Sequence, residues 1–536
     1  MMNGETNRRG FIAGLGAFGL TTALPGLGSA QAVSAFMQGV AEAAAGDTEI
    51  AAFYQSTNYA GIWTGQGGRD ARRREVFLRA LSDAPAHGLP VGAFDPTARG
   101  VDLRAVRTGR ELGRAEVAMT RAFLDFARAL QTGVIAPGGA DDGLVLTVPH
   151  RDRGETLRAF AAASPGAFIA TLPPQSPEYA RLMRARFEME RIAAQGGWGP
   201  TIRAQAVKPG QSGAGVTALR DRLIEMGYLR RTARAEYADA MTQAVARFQA
   251  DHGLETDGVA GAGTLAMLNL STEEKLAKLL VALERERWMN MPLGARHVWV
   301  NIPDFHAAIV DDGRTTFRTR CVVGKDVPDR RTPEFSEVME HMVVNPTWNV
   351  PKSIATKEYL PLLKRNPYAV PHLDIIDRTG RKVNPGLVRW HMLSESYFPF
   401  DMREPPSQGN ALGLVKFMFP NRWNIYLHDT PAKSLFGRQK RDFSHGCIRL
   451  ADPFDFAYTL LARQTGDPQG AFQKTLSTGR ETFVDLEENL PVHITYRTAF
   501  TRPKGPTQFR GDVYGRDARV WAALERAGVA LRTMES

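Results

Sequence analysis

The strongest constraint on this chain is a change of hydrophobic period near residue 295. Before it, apolar residues recur at helical spacing. In the stretch Ala115 to Leu130, Met119, Phe123, Phe126, Ala127 and Leu130 fall at i, i+4, i+7, i+8 and i+11. Val216, Leu219, Leu223 and Met226 fall at i, i+3, i+7 and i+10. Beyond it the pattern alternates. His297 to Ile302 and Phe305 to Val310 read as paired strands, with Asp311-Asp312-Gly313 as the hairpin turn. Phe317 to Val323 and His341 to Asn345 supply further strands. A segment with one period cannot bury the same side chains in the other conformation. The expected fold is therefore multi-domain α+β, helical first and β-rich later. A length of 536 residues implies two to four domains.

Punctuation divides the chain further. Residues 45–200 read as a helical unit. Ser176 and Glu178 open a helix that runs to Ile192, and Gly196-Gly197-Trp198-Gly199-Pro200 ends the unit. Residues 207–270 form a compact three-helix module with glycine turns at Gly227, Gly253 and Asp257-Gly258. Residues 271–294 read as a connecting helix, and 295–480 as the β-rich domain. An interval at 351–408, helical over Lys357 to Leu363 and then rich in proline, interrupts that domain as a lid or binding loop does. Residues 481–536 remain as a C-terminal segment, expected to pack on the helical unit.

The first 32 residues read as an address. Asn7-Arg8-Arg9-Gly10-Phe11-Ile12 is a twin-arginine pattern, an apolar run follows to Leu27, and Ala30-Gln31-Ala32 offers a cleavage site. Export to the periplasm by the twin-arginine pathway is the expectation. No later segment has 18 consecutive apolar residues, so no membrane span is expected once the leader is removed. The formal charge is +10 and the pI about 9.6. The Lys and Arg residues are dispersed and no nucleic-acid motif accompanies them. A solvated basic surface, or attraction to an anionic wall or lipid surface, fits better than a nucleic-acid partner.

The chain has two cysteines. Cys447 lies in Ser444-His445-Gly446-Cys447-Ile448-Arg449-Leu450, nineteen places after His428. A thiol reacts as thiolate, and nearby imidazole and guanidinium groups lower its pKa. Gly446 allows a sharp backbone approach beside the sulfur. The N–H groups of His445, Gly446 and Cys447 can point at an oxyanion. A lone cysteine is otherwise a small buried hydrophobe. Cys321, in the β-rich run Thr319 to Val323, is read that way, reduced and unreactive; a Cys321–Cys447 bridge would disable the nucleophile.

Side-chain alternation sorts the neighbours. Tyr426 shares a strand face with His428 and lines the groove. Asp429 points to the opposite face, which argues against a carboxylate partner for His428. Arg449 shares a face with Cys447 and either stabilises the thiolate, binds a carboxylate, or pairs with Asp452. His445 reaches the thiol only on a bent backbone and ranks as substrate-positioning or oxyanion support. Ser444 can donate locally. Trp348 and Trp423 are core or groove wall. There is no H-E-x-x-H and no cysteine pair, so no metal is expected. The glycines show no phosphate-binding pattern, so no cofactor is expected.

His428 followed by Ser444-His445-Gly446-Cys447-Ile448-Arg449 resembles the signature of the L,D-transpeptidases with a YkuD-like catalytic domain. Asn345 to Pro351 resembles the strand and turn upstream in that family. Gly409-Asn410-Ala411-Leu412-Gly413 through Phe419-Pro420-Asn421 resembles the segment leading into the histidine strand. The resemblance covers most of residues 45–520 and is to the long, multi-domain Gram-negative type. It implies a helical scaffold, a small peptidoglycan-binding domain at 207–270, and a capping subdomain at 351–408. It implies Cys447 as nucleophile, His428 as base and the Gly446 carbonyl as the group orienting His428. Tyr426, Ser444, His445, Arg449, Asn410 and Trp423 are then the substrate-binding residues. The implied partners are peptidoglycan stem peptides and glycan. The implied reaction is a 3→3 cross-link made through a thioester. The alternatives are L,D-carboxypeptidase or lipoprotein-to-wall attachment by the same site, or a non-enzymatic wall-binding protein with an inert Cys447.

Overall fold

A computed structural model describes residues 34–90 and 92–531. The twin-arginine leader lies outside the described residues. Helices build the first half. Gly109–Thr132 is held at its start by a capping box of Thr108 and Glu111 and buries Met119, Phe123, Phe126, Ala127 and Leu130. Ala35–Ala44 packs along it, so the helical unit begins ahead of residue 45. The close crossing needs Gly113: a Cβ there would run into the Phe36 carbonyl. Within the next module, Ala214–Glu225, Asp239–His252 and Ala262–Leu268 enclose Val216, Leu219, Leu223, Phe248 and Leu268.

The segment read as a connecting helix is Thr272–Trp288, and it is interior rather than a connector. Leu276, Leu279, Leu280, Leu283 and Trp288 are buried, and so are Glu284, Arg285, Glu286 and Arg287. It packs against Pro177–Ala194, Gly109–Thr132 and the C-terminal helix Arg516–Arg526. A helix buried on every side must pair its charges internally. Arg287 binds Glu284 at 2.7 Å, and Arg285 binds Glu334 at 2.6 Å.

The β-rich domain contains β1 (Arg296–Asn301), β2 (His306–Asp311), β3 (Arg314–Gly324) and β4 (Phe335–Val344). β5 (Trp348–Asn349), β6 (Asp374–Ile376) and β7 (Asp401–Glu404) follow, then β8 (Val415–Met418) and β9 (Leu427–His428). β10 (Asp442–Ser444), β11 (Ile448–Leu450) and β12 (Thr482–Thr495) complete it. The large sheet runs β10-β3-β11-β9-β8-β4-β12-β1-β2, and a further β3–β2 pairing closes it into a barrel. Asp312 and Gly313 both take positive φ at the β2–β3 hairpin turn. β12 lies in the segment set aside as C-terminal. It stands between β4 and β1, so the sheet continues past residue 481 to Thr495.

β5, β6 and β7 make a separate three-stranded sheet. With the helical run Lys352–Arg365, which contains a π-turn at Ala355–Tyr359, it encloses its own core of Leu360, Leu363, Ile375, Trp390 and Phe398. The interval at 351–408 is thus a folded subdomain standing on the barrel. After β12 the chain returns to the helical half. There the Thr501 N–H donates to Glu178 at 2.7 Å, and Arg516 meets Asp141 at 3.2 Å.

Candidate active site

β9 and β11 are parallel neighbours, with Leu427 opposite Ile448 and His428 opposite Arg449. β8 flanks β9 on the other side, with Lys416 opposite His428. Alternation sends Leu427, Ile448 and Phe417 into the barrel core. Tyr426, His428, Arg449 and Lys416 share the opposite face, and so does Cys447, one residue ahead of β11. Tyr426 and His428 meet edge to face, with ring centroids 5.6 Å apart. Tyr426 also joins Trp348, Ile354, Tyr359 and Leu412 in a small cluster at the foot of the inserted subdomain.

The turn that presents Cys447 is held from both sides. Gly446 has φ +118°, a region that side-chain-bearing residues rarely adopt. Its N–H donates to Ser444 Oγ at 3.1 Å, and Ser444 Oγ donates to the Cys447 carbonyl at 2.5 Å. Thr332 Oγ1 donates to the Gly446 carbonyl at 2.7 Å. Four expectations change here. Gly446 makes no hydrogen bond to His428 among the described residues; its carbonyl accepts from Thr332. Its N–H is taken by Ser444 and is not aimed at an oxyanion. Ser444 is buried and bonded within the turn, which removes it from the substrate-binding set. Asn410 leaves that set too. It is fully buried, and its amide donates to the carbonyls of Pro346, Glu404 and Pro405.

The remaining residues separate by position. Trp423 packs against Phe335 of the barrel core as wall, with ring centroids 4.7 Å apart and the planes tilted by 36°. His445 turns away from the sulfur: its Nε2 lies 2.5 Å from Glu358 Oε1 on the inserted helix, and Arg330 donates to the same oxygen at 2.8 Å. Asp429 does face away from His428. It accepts from Lys433 at 2.6 Å and from the Leu414 N–H at 2.8 Å. Asp452 accepts from Thr319 at 2.8 Å and makes no ion pair with Arg449 among the described residues. Cys321 is a free thiol, buried in β3, with its pKa pushed up to about 12 by burial.

No hydrogen bond joins Cys447 to His428. The Cys447 thiol lies 3.6 Å from the Asn424 carbonyl. Among the described residues His428 Nδ1 is buried with no hydrogen-bond partner, and so is Arg449 Nε. Four other arginine Nε atoms share that condition, so the histidine nitrogen, beside a cysteine, is the distinctive one here. The Cys447 side chain is half-buried, and desolvation pushes its thiol up to about 11, against the pull of Tyr426, Arg449 and Lys416. Burial, then the Arg449 charge, pulls His428 down to about 3. The sequence reading of a lowered thiol pKa is therefore reversed. At neutral pH the resting pair is thiol and neutral imidazole, because desolvation disfavours both charged forms. Burial also lowers Lys416. Among the described residues no three His, Cys, Asp or Glu side chains gather as metal ligands.

Lys416, Thr332 and Glu358 were missed from sequence. Lys416 reaches the site through strand pairing, Thr332 from a loop between strands and Glu358 from the insertion. None carries a local signal.

Residues 295–481 match the YkuD L,D-transpeptidase catalytic domain. Residues 48–185 match a scaffold domain, and 212–268 a domain described as "Putative peptidoglycan binding domain". Over 259 residues the chain is 30% identical to a protein of Haemophilus influenzae (strain ATCC 51907 / DSM 11121 / KW20 / Rd) named "Putative L,D-transpeptidase". The match covers 48% of this chain and 52% of that protein, so the chain spans about half the length of that curated relative. A crystal structure of the L,D-transpeptidase (residues 123–326) from Xylanimonas cellulosilytica DSM 15894 is 16% identical. It covers 55% of this chain and 99% of that one, with a TM-score of 0.16. One from Clostridium acetobutylicum ATCC 824, a fused Zn-dependent amidase/peptidase/peptidoglycan-binding domain-containing protein, is 13% identical. It covers 55% of this chain and 100% of that one, with a TM-score of 0.15. At such scores neither structure carries an argument. The three domain matches do: the chain carries a YkuD-type L,D-transpeptidase catalytic domain, preceded by a scaffold domain and a peptidoglycan-binding domain.

Proposed function

We propose that the protein is a peptidoglycan L,D-transpeptidase that forms 3→3 cross-links through a thioester on Cys447. The observation that carries the reading is the unpartnered, buried Nδ1 of His428 on the same barrel face as Cys447, one strand away. The Cys447 sulfur adds to the carbonyl carbon of the amide between the third stem residue, meso-diaminopimelate, and the terminal D-alanine. Its proton passes to His428. His428 returns that proton to the departing amine as the carbon–nitrogen bond breaks, leaving the thioester. The side-chain amine of a second stem then attacks, a new amide forms, and the thiol is regenerated. Because burial holds the pair neutral at rest, proton transfer accompanies attack rather than preceding it. Tyr426 lines the groove beside the sulfur, and Arg449 and Lys416 offer positive charge to a stem carboxylate.

Water as acceptor would make the same site an L,D-carboxypeptidase, and a lipoprotein amine would attach that protein to the wall. Export to the periplasm by the leader at residues 1–32 belongs to this proposal and is supported by its twin-arginine pattern. The test is direct. A carbapenem should add its mass to the peptide containing Cys447, and Cys447→Ala should abolish the adduct while Cys321→Ala keeps it. Incubation with purified disaccharide-tetrapeptide should give cross-linked dimers. Tripeptide as the sole product would overturn cross-linking as the main activity.

A further inference from the structure

A second concave site lies away from Cys447, where the peptidoglycan-binding module meets the barrel. It is a cleft of about 390 Å³, walled on one side by the end of the helix Asp239–His252 and the turn after it. The other walls are β2, β3, the loop at 437–441 and the segment at 502–510. Six arginines line it, against the two acids Asp304 and Glu255. Three of the six are committed to the fold. Arg510, buried, binds Asp304 at 2.6 Å and donates to the Asp251 carbonyl of the module at 2.8 Å. Arg318 binds the other Asp304 oxygen at 2.8 Å. Arg441, also buried, donates to the carbonyls of Phe305, Cys321 and Arg438.

The other three are not neutralised. Arg320, Arg438 and Arg502 are exposed, and none forms an ion pair among the described residues. Burial, and then the neighbouring Arg320 and Arg318, hold Arg441 below the usual arginine range; Arg502 and Arg318 act on Arg510 in the same direction. A solvated basic face is the plainer reading for a chain of charge +10. It does not explain why the uncompensated cations converge in a concavity instead of spreading over a convex surface. Nor does it explain a floor fixed by a buried arginine that pairs with Asp304 of the barrel and donates to the Asp251 carbonyl of the module. Guanidinium forks held apart on a rigid floor suit planar carboxylates.

We propose that this cleft binds the carboxylates of an acidic peptide, and that in the cell wall its occupant is a stem peptide other than the one at Cys447. The proposal rests on the sacculus being the substrate, and it assigns the cleft a holding role while the barrel face does the chemistry. Bound there, a stem would set the distance and orientation of the polymer relative to the groove.

The test is co-sedimentation of the full chain with purified sacculi across a salt series. Wild-type binding should weaken as salt screens the contacts. Arg320→Glu/Arg438→Glu/Arg502→Glu should bind on the order of tenfold more weakly, with a flatter salt dependence. Arg502→Glu alone, in an exposed segment, should show part of the loss and guards against misfolding of the triple variant. Sacculi whose carboxylates have been converted to amides should bind wild type as weakly as native sacculi bind the triple variant. Carbapenem acylation of Cys447 in the same variants reports an intact catalytic centre. If wild type fails to acylate, the functional reading fails; if acylation persists while binding does not respond to charge reversal, the cleft proposal fails. Binding unaffected by amidation also overturns it. So does a charge-reversal loss seen with phosphatidylglycerol vesicles and not with sacculi, which would make the cleft a lipid-phosphate site.

Discussion

Cys447 shows how burial can outweigh charge at a single residue. Arg449 and Lys416 both favour the thiolate, yet desolvation leaves the thiol near 11. Alkylation of the resting protein by iodoacetamide should therefore be slow at pH 7 and climb between pH 9 and 11, read as mass on the Cys447 peptide. A midpoint below pH 8 would refute this account of the resting state. His428 is the complementary case. Its folded pKa of about 3 lies below the ordinary 6.5, so the native state excludes a proton that the unfolded chain accepts. That contribution to stability is complete above pH 6.5 and is lost as pH falls toward 3, by at most about 1.4 kcal/mol per pH unit. His252, also near 3, adds the same dependence in the module at 207–270. The denaturation midpoint should fall on acidification below pH 6.5, and His252→Gln should flatten that slope. His428→Gln should also slow carbapenem acylation by roughly 10²- to 10⁴-fold, the usual cost of a lost general base.

Among the elements, the turn that presents Cys447 and the inserted helix form one mechanical unit. Glu358 receives both His445 and Arg330, and Lys357 meets Asp329 at 3.3 Å. These groups are part-exposed, so each pair contributes little stability, about 1 kcal/mol at most. Its effect should appear as motion instead. Glu358→Gln should speed amide exchange several-fold over 352–365 while β4 and β12 keep their protection; equal exchange in both proteins would remove the latch. Gly446→Ala forces a side chain into φ +118°, with its Cβ 3.1 Å from Ile425. That costs about 1–3 kcal/mol and should depress acylation well beyond its effect on stability. β12 shows where legibility failed at this scale. It belongs to the segment 481–536, set outside the β-rich domain from sequence; the run Asp485 to Glu488 and Pro491 interrupt the alternation a strand shows. In the barrel the acidic run falls at a register shift between Asp485 and Leu490, and regular pairing with β4 resumes beyond it.

Across the whole molecule, the halves are joined by charge as well as by apolar packing. Arg285 of the central helix binds Glu334 ahead of β4 at 2.6 Å and Asp517 of the C-terminal helix at 3.1 Å. Arg516 binds the other Glu334 oxygen at 3.2 Å. Burial still raises Glu334 to about 7. Removing one member of such a network strands the others in a dry interior. Arg285→Ala should lower stability by about 3–5 kcal/mol, measured as a shifted denaturant midpoint. A loss below 1 kcal/mol would mean the network is dispensable. Some of these partners are 232 residues apart in the chain. No periodicity or motif within a window of the sequence could have paired them.

The helical-then-β order, the β character after residue 295, and Cys447 and His428 as the residues to test first could all be read from the chain. Each depends on period, punctuation or a short string, and local spacing carries all three. The state of the thiol, the duties of Ser444, Asn410 and His445, the central place of the helix 272–288 and the strand β12 were decided only by the tertiary structure. Burial and hydrogen-bond ownership are set by whichever distant segments close over a residue, and desolvation acts only once they have done so.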